Sequence, residues 1–341
     1  MITIKDVARV AGVSPSTVSR VVRGDGKVGK KCRAEVQKIL DEMGYRPNSN
    51  ARALVSRKSE LVGIVTPDLY RPFFGSIAHG AEKAARTYKF QVMMRNSQND
   101  ALIELDAINS FREHGCENII VSSKFGDEET FIQLAKEIPG LIFINRYIKA
   151  LANRCVWLDN IAGSRISAEY LYEQGHRDIA VVSFDTGNKD QADRIEGAKQ
   201  FFKEKGVSIA PANIIFSTEK TPGKGQALFC KDAIHHLLNN GEKVTAIIAY
   251  NDEIALGLIN ALLDCGKRVP EDISVMGFDD LNVAENCRPQ LTTIRYPIVE
   301  MAEYATKLSL QHTARNPTEI KDTHLFMPTL VKRDSVLKIS R

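Results

Sequence analysis

The sequence predicts a small all-α helix-turn-helix head followed by a two-lobed α/β body with parallel sheets. Three observations predict it. The first 58 residues carry 13 Lys and Arg against 5 Asp and Glu, whereas the remaining 283 carry 33 against 37. Within the basic block, apolar residues recur at helical spacing between Gly and Pro breaks. From about Leu61 onward, short apolar runs alternate with helical stretches.

In the head, Thr3 is placed to cap a first helix whose Ile4, Val7, Ala8 and Ala11 share one face. Gly12 ends it. Ser14 is a good N-cap, and Pro15 suits the first turn because its missing N–H has no helical partner there. A second short helix therefore runs to about Arg23, burying Val18, Val21 and Val22. A third carries Cys32, Val36, Ile39, Leu40 and Met43 on one side and stops at Gly44 and Pro47. Two short helices across a glycine turn, braced by a third, make a helix-turn-helix. A basic block of this size fits a polyanionic partner, because neutralised phosphates release counterions.

The body begins with Leu61-Val-Gly-Ile-Val65. Gln91 to Met94, Asn118 to Val121, Leu141 to Asn145, Ile179 to Val182, Ala246 to Ala249 and Ile273 to Met276 continue the rhythm as buried parallel strands. About 280 residues exceed what one core usually serves, which favours two lobes and a cleft.

The strings Thr3-Ile-Lys-Asp-Val-Ala, Ala11-Gly-Val-Ser, Thr17-Val-Ser-Arg-Val-Val22 and Gly44-Tyr-Arg-Pro-Asn48 resemble the DNA-binding head of the lactose-repressor family. Ala249-Tyr-Asn-Asp252, Gly277-Phe-Asp-Asp280, Arg288 to Ile298 and Pro328 to Arg333 extend the resemblance along the chain, toward the galactose repressor and isorepressor branch. The resemblance implies a periplasmic-binding-protein-like body. It divides the chain into a head at 1–47, a hinge helix and linker at 48–59, and a ligand-binding and dimerisation domain at 60–341. Lobe one takes about 60–160 and 295–320, and lobe two 161–292 and 321–341.

For DNA, the resemblance assigns Ser14 to Arg20 to the major groove, with Arg20 on a guanine edge and Ser16 beside it. Pro15 and Ser16 depart from the galactose branch, so the operator is expected to differ. Thr17, Ser19, Tyr45 and Asn48 map onto phosphate contacts. Thr3 completes this set, together with Arg52 and Leu54 of the hinge helix, whose paired leucines would wedge the minor groove. That helix, about nine residues long, falls below the ~12–15 needed for even marginal stability alone, so it should order only on DNA.

For the effector, Arg146, Asn251 and Asp279 follow apolar strands, where open α/β sheets bind ligands. With Arg194 they supply directional donors and acceptors for sugar hydroxyls, and Phe73-Phe74 supplies aromatic faces. Asp159 is a further candidate, or else a strand-end turn residue. All map onto sugar-pocket positions of the family. Tyr70-Arg71 departs from the galactose pattern, which leaves the sugar's identity open.

Gly24-Asp-Gly-Lys-Val-Gly29 spells G-x-G-x-x-G but lies between helices, so it reads as a loop. The seven His and six Cys show no metal-ligand spacing or C-x-x-C pair, and no signal peptide or membrane span stands out. The expectation is a cytoplasmic dimeric repressor of sugar-utilisation genes, neither an enzyme nor a metal or cofactor protein, that binds a pseudo-palindromic operator and a small sugar, with galactose as the candidate. A corepressor-driven regulator and a transport-type sugar-binding protein are the alternatives. An α/β dehydrogenase would need a phosphate loop after a strand, and none is found.

Overall fold

The computed structural model describes residues 2–24, 28–45, 59–123, 126–184, 187–217, 226–239, 243–314 and 323–340. Contacts divide the chain into Met1–Ser59 and Glu60–Arg341. The segment expected to form the hinge helix, with Asn48, Arg52 and Leu54, lies outside the described residues.

In the head, α1 (Ile4–Val10), α2 (Pro15–Arg23) and α3 (Lys30–Glu42) form at the expected positions. Thr3 caps α1 in a capping box, its hydroxyl accepting from the Asp6 amide while the Asp6 carboxylate accepts from Thr3. The turn between α1 and α2 rests on Gly12 at φ +63°, a left-handed conformation that a side chain would resist. Val7, Ala8, Val18, Val21, Val36 and Leu40 form the core.

The described residues of the body form three sheets. Strands β1 (Leu61–Thr66), β2 (Gln91–Asn96), β3 (Asn118–Val121), β4 (Gly140–Ile144), β5 (Cys155–Leu158) and β11 (His324–Phe326) form a six-stranded sheet of order β11-β5-β4-β3-β1-β2. Every pair is parallel. Strands β6 (Ile179–Phe184), β7 (Ile214–Ser217), β8 (Ala246–Ala249) and β9 (Ser274–Met276) form a second parallel sheet of order β7-β6-β8-β9. Strands β10 (Thr293–Arg295) and β12 (Thr329–Val331) pair antiparallel with each other.

The helices between them are α4 (Pro72–Thr87), α5 (Ala101–Glu113), α6 (Glu128–Glu137), α7 (Asn160–Glu173), α8 (Lys189–Glu204), α9 (Gln226–Asn239), α10 (Asp252–Asp264), α11 (Asn282–Asn286) and α12 (Ile298–Thr313). Parallel strands require such crossovers, and helices on the sheet faces explain why β3, β4, β6 and β8 are buried at every residue. Both lobes bring two helices unusually close at a glycine. A Cβ at Gly80 would lie 3.0 Å from Ala302 Cβ, and one at Gly197 would lie 3.0 Å from Ser164 Cβ.

The stretch 321–341, expected in the second lobe, is divided. Its β11 joins the first sheet beside β5, covering an edge that would otherwise present unpaired backbone groups. Farther on, the Val275 amide donates to the Ser335 carbonyl and the Leu337 amide to Ser274 Oγ, so the chain's end lies on the second sheet.

Candidate functional site

On the head, Ser14 caps α2 and its hydroxyl lies 2.7 Å from Ser16 Oγ and 2.9 Å from Thr17 Oγ1. Pro15, Ser16 and Arg20 are exposed, while Thr17, Ser19 and Tyr45 are half-buried. Ser16 and Arg20, four residues apart on α2, present one face outward while Val18 and Val21 anchor the opposite one. Thr3 remains exposed at the start of α1.

Between the lobes of the body, Arg194 is the centre of a buried polar nest. Its Nε donates to Asn160 Oδ1 at 2.9 Å and its Nη1 to the Tyr250 carbonyl at 2.6 Å. Its Nη2 lies 3.4 Å from Asp279 Oδ1, with side-chain exposures of 9% and 6% marking a pair shielded from water. The guanidinium also sits 3.7 Å from the centroid of the Phe278 ring. Burial opposes the Arg194 charge, but Asp279, assisted by Tyr250 and Asp190, raises its pKa above the ordinary value.

Asp279 adopts φ +114°, costly for a residue with a Cβ. Two backbone bonds hold it there: its amide donates to the Ile294 carbonyl at 2.8 Å, and its carbonyl accepts from the Tyr296 amide at 3.2 Å. Next to it, Asp280 accepts from Arg295 Nε at 2.8 Å and Arg333 Nη2 at 2.7 Å, fixing the loop to β10 and to the segment after β12. Buried Tyr296 donates to Asn145 Oδ1 at 3.1 Å, and burial followed by nearby Asp190 pushes its pKa well up. A second buried carboxyl, Asp252, accepts from Thr293 Oγ1 at 2.6 Å and the Leu281 amide at 2.7 Å. Burial and neighbouring Asp279 raise its pKa well above the carboxylate range.

Arg146 and Asp159 line an interlobe cavity of about 380 Å³, together with Tyr147, Trp157, Asn160 and Asp190. Arg146 Nη1 donates to Ser123 Oγ at 3.3 Å, and Ser123 donates in turn to Glu104 at 2.8 Å. Glu104 lies behind the cavity wall; burial lifts its pKa, opposed by Ser123 and the Arg146 charge. Asp159 caps α7, accepting from the Ala162 amide at 2.8 Å. The strand-end reading of Asp159 is the one its hydrogen bond shows, and the residue also borders the cavity.

The remaining expected residues have other partners. Asn251 is buried and caps α10, its side-chain oxygen accepting from the Ile254 amide at 3.0 Å. Phe74 belongs to the core, and half-buried Phe73 meets Phe74 and Tyr296 edge-on at centroid distances of 5.5 and 5.3 Å. Neither phenylalanine lines the cavity holding Arg146 and Asp159. Sequence reasoning missed Asn160, Tyr250, Tyr296, Tyr147 and Trp157. Asn160 carried a signal, since it directly follows Asp159 at a helix start; the others are joined only by the fold.

Among the described residues, no helix is long and apolar enough to cross a membrane, and no group of three His, Cys, Asp or Glu could hold a metal ion.

Residues 3–48 match the family described as bacterial regulatory proteins of the lacI family, and residues 168–336 match a periplasmic binding protein-like domain. The HTH-type transcriptional regulator GalS of Salmonella typhimurium is 39% identical over 336 residues, covering 98% of this chain and 97% of its own. The regulator GalR of Escherichia coli K12 is 36% identical, covering 98% of this chain and 96% of its own. In fold, the chain is similar to the lac repressor dimer solved with operator and the anti-inducer ONPF, at a TM-score of 0.86 and 24% identity, with 98% of this chain and 99% of that one covered. Matches of this extent in both sequence and fold mean that the chain belongs to the lacI family of bacterial regulatory proteins.

Proposed function

We propose that this regulator is a dimeric repressor of sugar-utilisation genes, released from a pseudo-palindromic operator by a neutral sugar of the galactose type. The observation that carries the effector half is the buried Arg194–Asp279 pair between the lobes, with Asn160 and Tyr296 beside it. Guanidinium, carboxylate and amide together offer the paired donors and acceptors that vicinal hydroxyls require. The names of the relatives GalS and GalR support galactose within that class.

In this reading the head is 1–47, the hinge 48–59 and the effector domain 60–341. Arg20 and Ser16 read base edges, with Pro15 setting the start of the reading helix. Ser14, Thr17, Ser19, Tyr45, Asn48 and Thr3 hold backbone and register, and Arg52 flanks the Leu54 wedge. Sugar binding changes the angle between lobes, separates the hinge segments of the two protomers and favours the DNA-free state.

The test is operator affinity titrated with D-galactose, D-glucose and D-ribose. Weakened operator binding with galactose, and a reciprocal loss of galactose affinity on operator, is the expected outcome. Strengthened operator binding would make the sugar a corepressor and overturn the proposed sign.

A further inference from the structure

Trp157 is the only tryptophan in the chain. It stands on β5 two residues before Asp159, and its ring packs on Tyr147 at 4.8 Å between centroids and 40° between planes. Both rings line the interlobe cavity beside Arg146, Asp159 and Asn160. Tyr147 is 39% exposed, so the pair is reachable from solvent on that side. The indole N–H is buried with no hydrogen-bond partner. Packing alone therefore holds the ring, and it can turn onto a ligand without breaking a polar contact.

The charges around the pair narrow the ligand class. Glu128, Asp159, Asp190 and Asp193 outnumber Arg146 and Lys189 on the cavity wall. Lys189 is already paired with Asp193 at 2.7 Å, and Arg146 lies 3.7 Å from Glu128. An anionic ligand would meet more carboxylates than cations on this wall.

We propose that Trp157 and Tyr147 form an aromatic subsite that takes the C–H face of an unphosphorylated pyranose, while Arg146 and Asp159 bind its hydroxyls. This rests on the sugar-effector reading above and moves the aromatic wall from Phe73 and Phe74 to a pair that only the fold brings together. Phe74 is committed to the core, whereas Tyr147 and Trp157 face the cavity.

A single tryptophan makes the test direct. Titrating the full-length protein with D-galactose should shift Trp157 emission and protect it from acrylamide, with the same Kd from emission and from calorimetry. D-galactose 1-phosphate should leave both unchanged. Trp157→Ala and Tyr147→Ala should each weaken galactose binding roughly 5- to 10-fold, the scale of one aromatic contact. Operator binding without sugar should persist in both, and Tyr147→Ala serves if Trp157→Ala fails to fold. Calorimetric binding of galactose with unchanged emission and unchanged affinity in Tyr147→Ala would overturn the subsite and leave the sugar-effector reading standing. Tight binding of the phosphate ester would overturn the charge argument. Absence of heat with galactose, glucose and ribose, from protein that still binds operator, would overturn both.

Discussion

Replacing Asp279 by Asn tests the polar nest with the least change of shape. The amide keeps one oxygen acceptor but removes the charge that compensates buried Arg194. At an effective dielectric constant of about 20, unit charges 3.4 Å apart attract by about 5 kcal/mol. Part of that is offset by the cost of burying both ions, and breaking such pairs typically costs ~3–5 kcal/mol because one charge is left uncompensated. Arg194 would retain Asn160 and the Tyr250 carbonyl, so the lower end, about 3 kcal/mol, is expected. For a body of this size each kcal/mol lowers the thermal midpoint by roughly 2–4 °C, giving a fall of about 6–12 °C.

The assay combines melting of the body with calorimetry of galactose at a temperature well below the midpoint. Because the charge-assisted acceptor is lost, galactose affinity should fall at least about tenfold while operator binding without sugar persists. A midpoint shift equivalent to less than about 1 kcal/mol, with unchanged sugar affinity, would refute the assignment of Asp279 as both counter-ion and ligand anchor.

Gly197→Ala should cost about 1–3 kcal/mol by forcing α8 away from the Ile161 carbonyl and Ser164; an unchanged melting midpoint would remove the close helix crossing as the reason for glycine there. Asp252 binds its proton more tightly folded than unfolded, so its contribution to stability is fullest below the ordinary carboxylate range and is lost as pH rises from that range toward its elevated folded pKa. Asp252→Asn cannot ionise, and its melting midpoint relative to the parent should therefore rise as pH increases from the ordinary carboxylate range; a constant difference would show that Asp252 is not the titrating group. Arg20→Ala should cost roughly 1–3 kcal/mol on the specific operator and less on random DNA, whereas equal losses on both would assign Arg20 to phosphate.

These predictions draw on two kinds of information, only one of which is local to the sequence. The head was legible because its signals are local: Thr3 and Ser14 cap, Gly12 turns, and the valines repeat at helical spacing. Strands buried along their whole length, including four-residue β3 and β8, were legible for the same reason. Strand β7, of the same length, lies at a sheet edge with Phe216 exposed, and three-residue β11 joins the first sheet through its pairing with β5, which no nearby residue announces. The site separates along the same line. Arg146, Asp159 and Asp279 stand just past strand ends, whereas Arg194 lies inside α8 and meets Asp279 only through the fold. Asn251 stands at such an end too, but there the helix itself claims its side-chain oxygen. Position after a strand therefore identifies residues able to reach a ligand, and hydrogen-bond accounting decides which have an atom to spare. By that accounting, the Asn251 oxygen supports α10, and the proposed sugar recognition draws on the nest around Arg194 and on the cavity wall between Arg146 and Asp159.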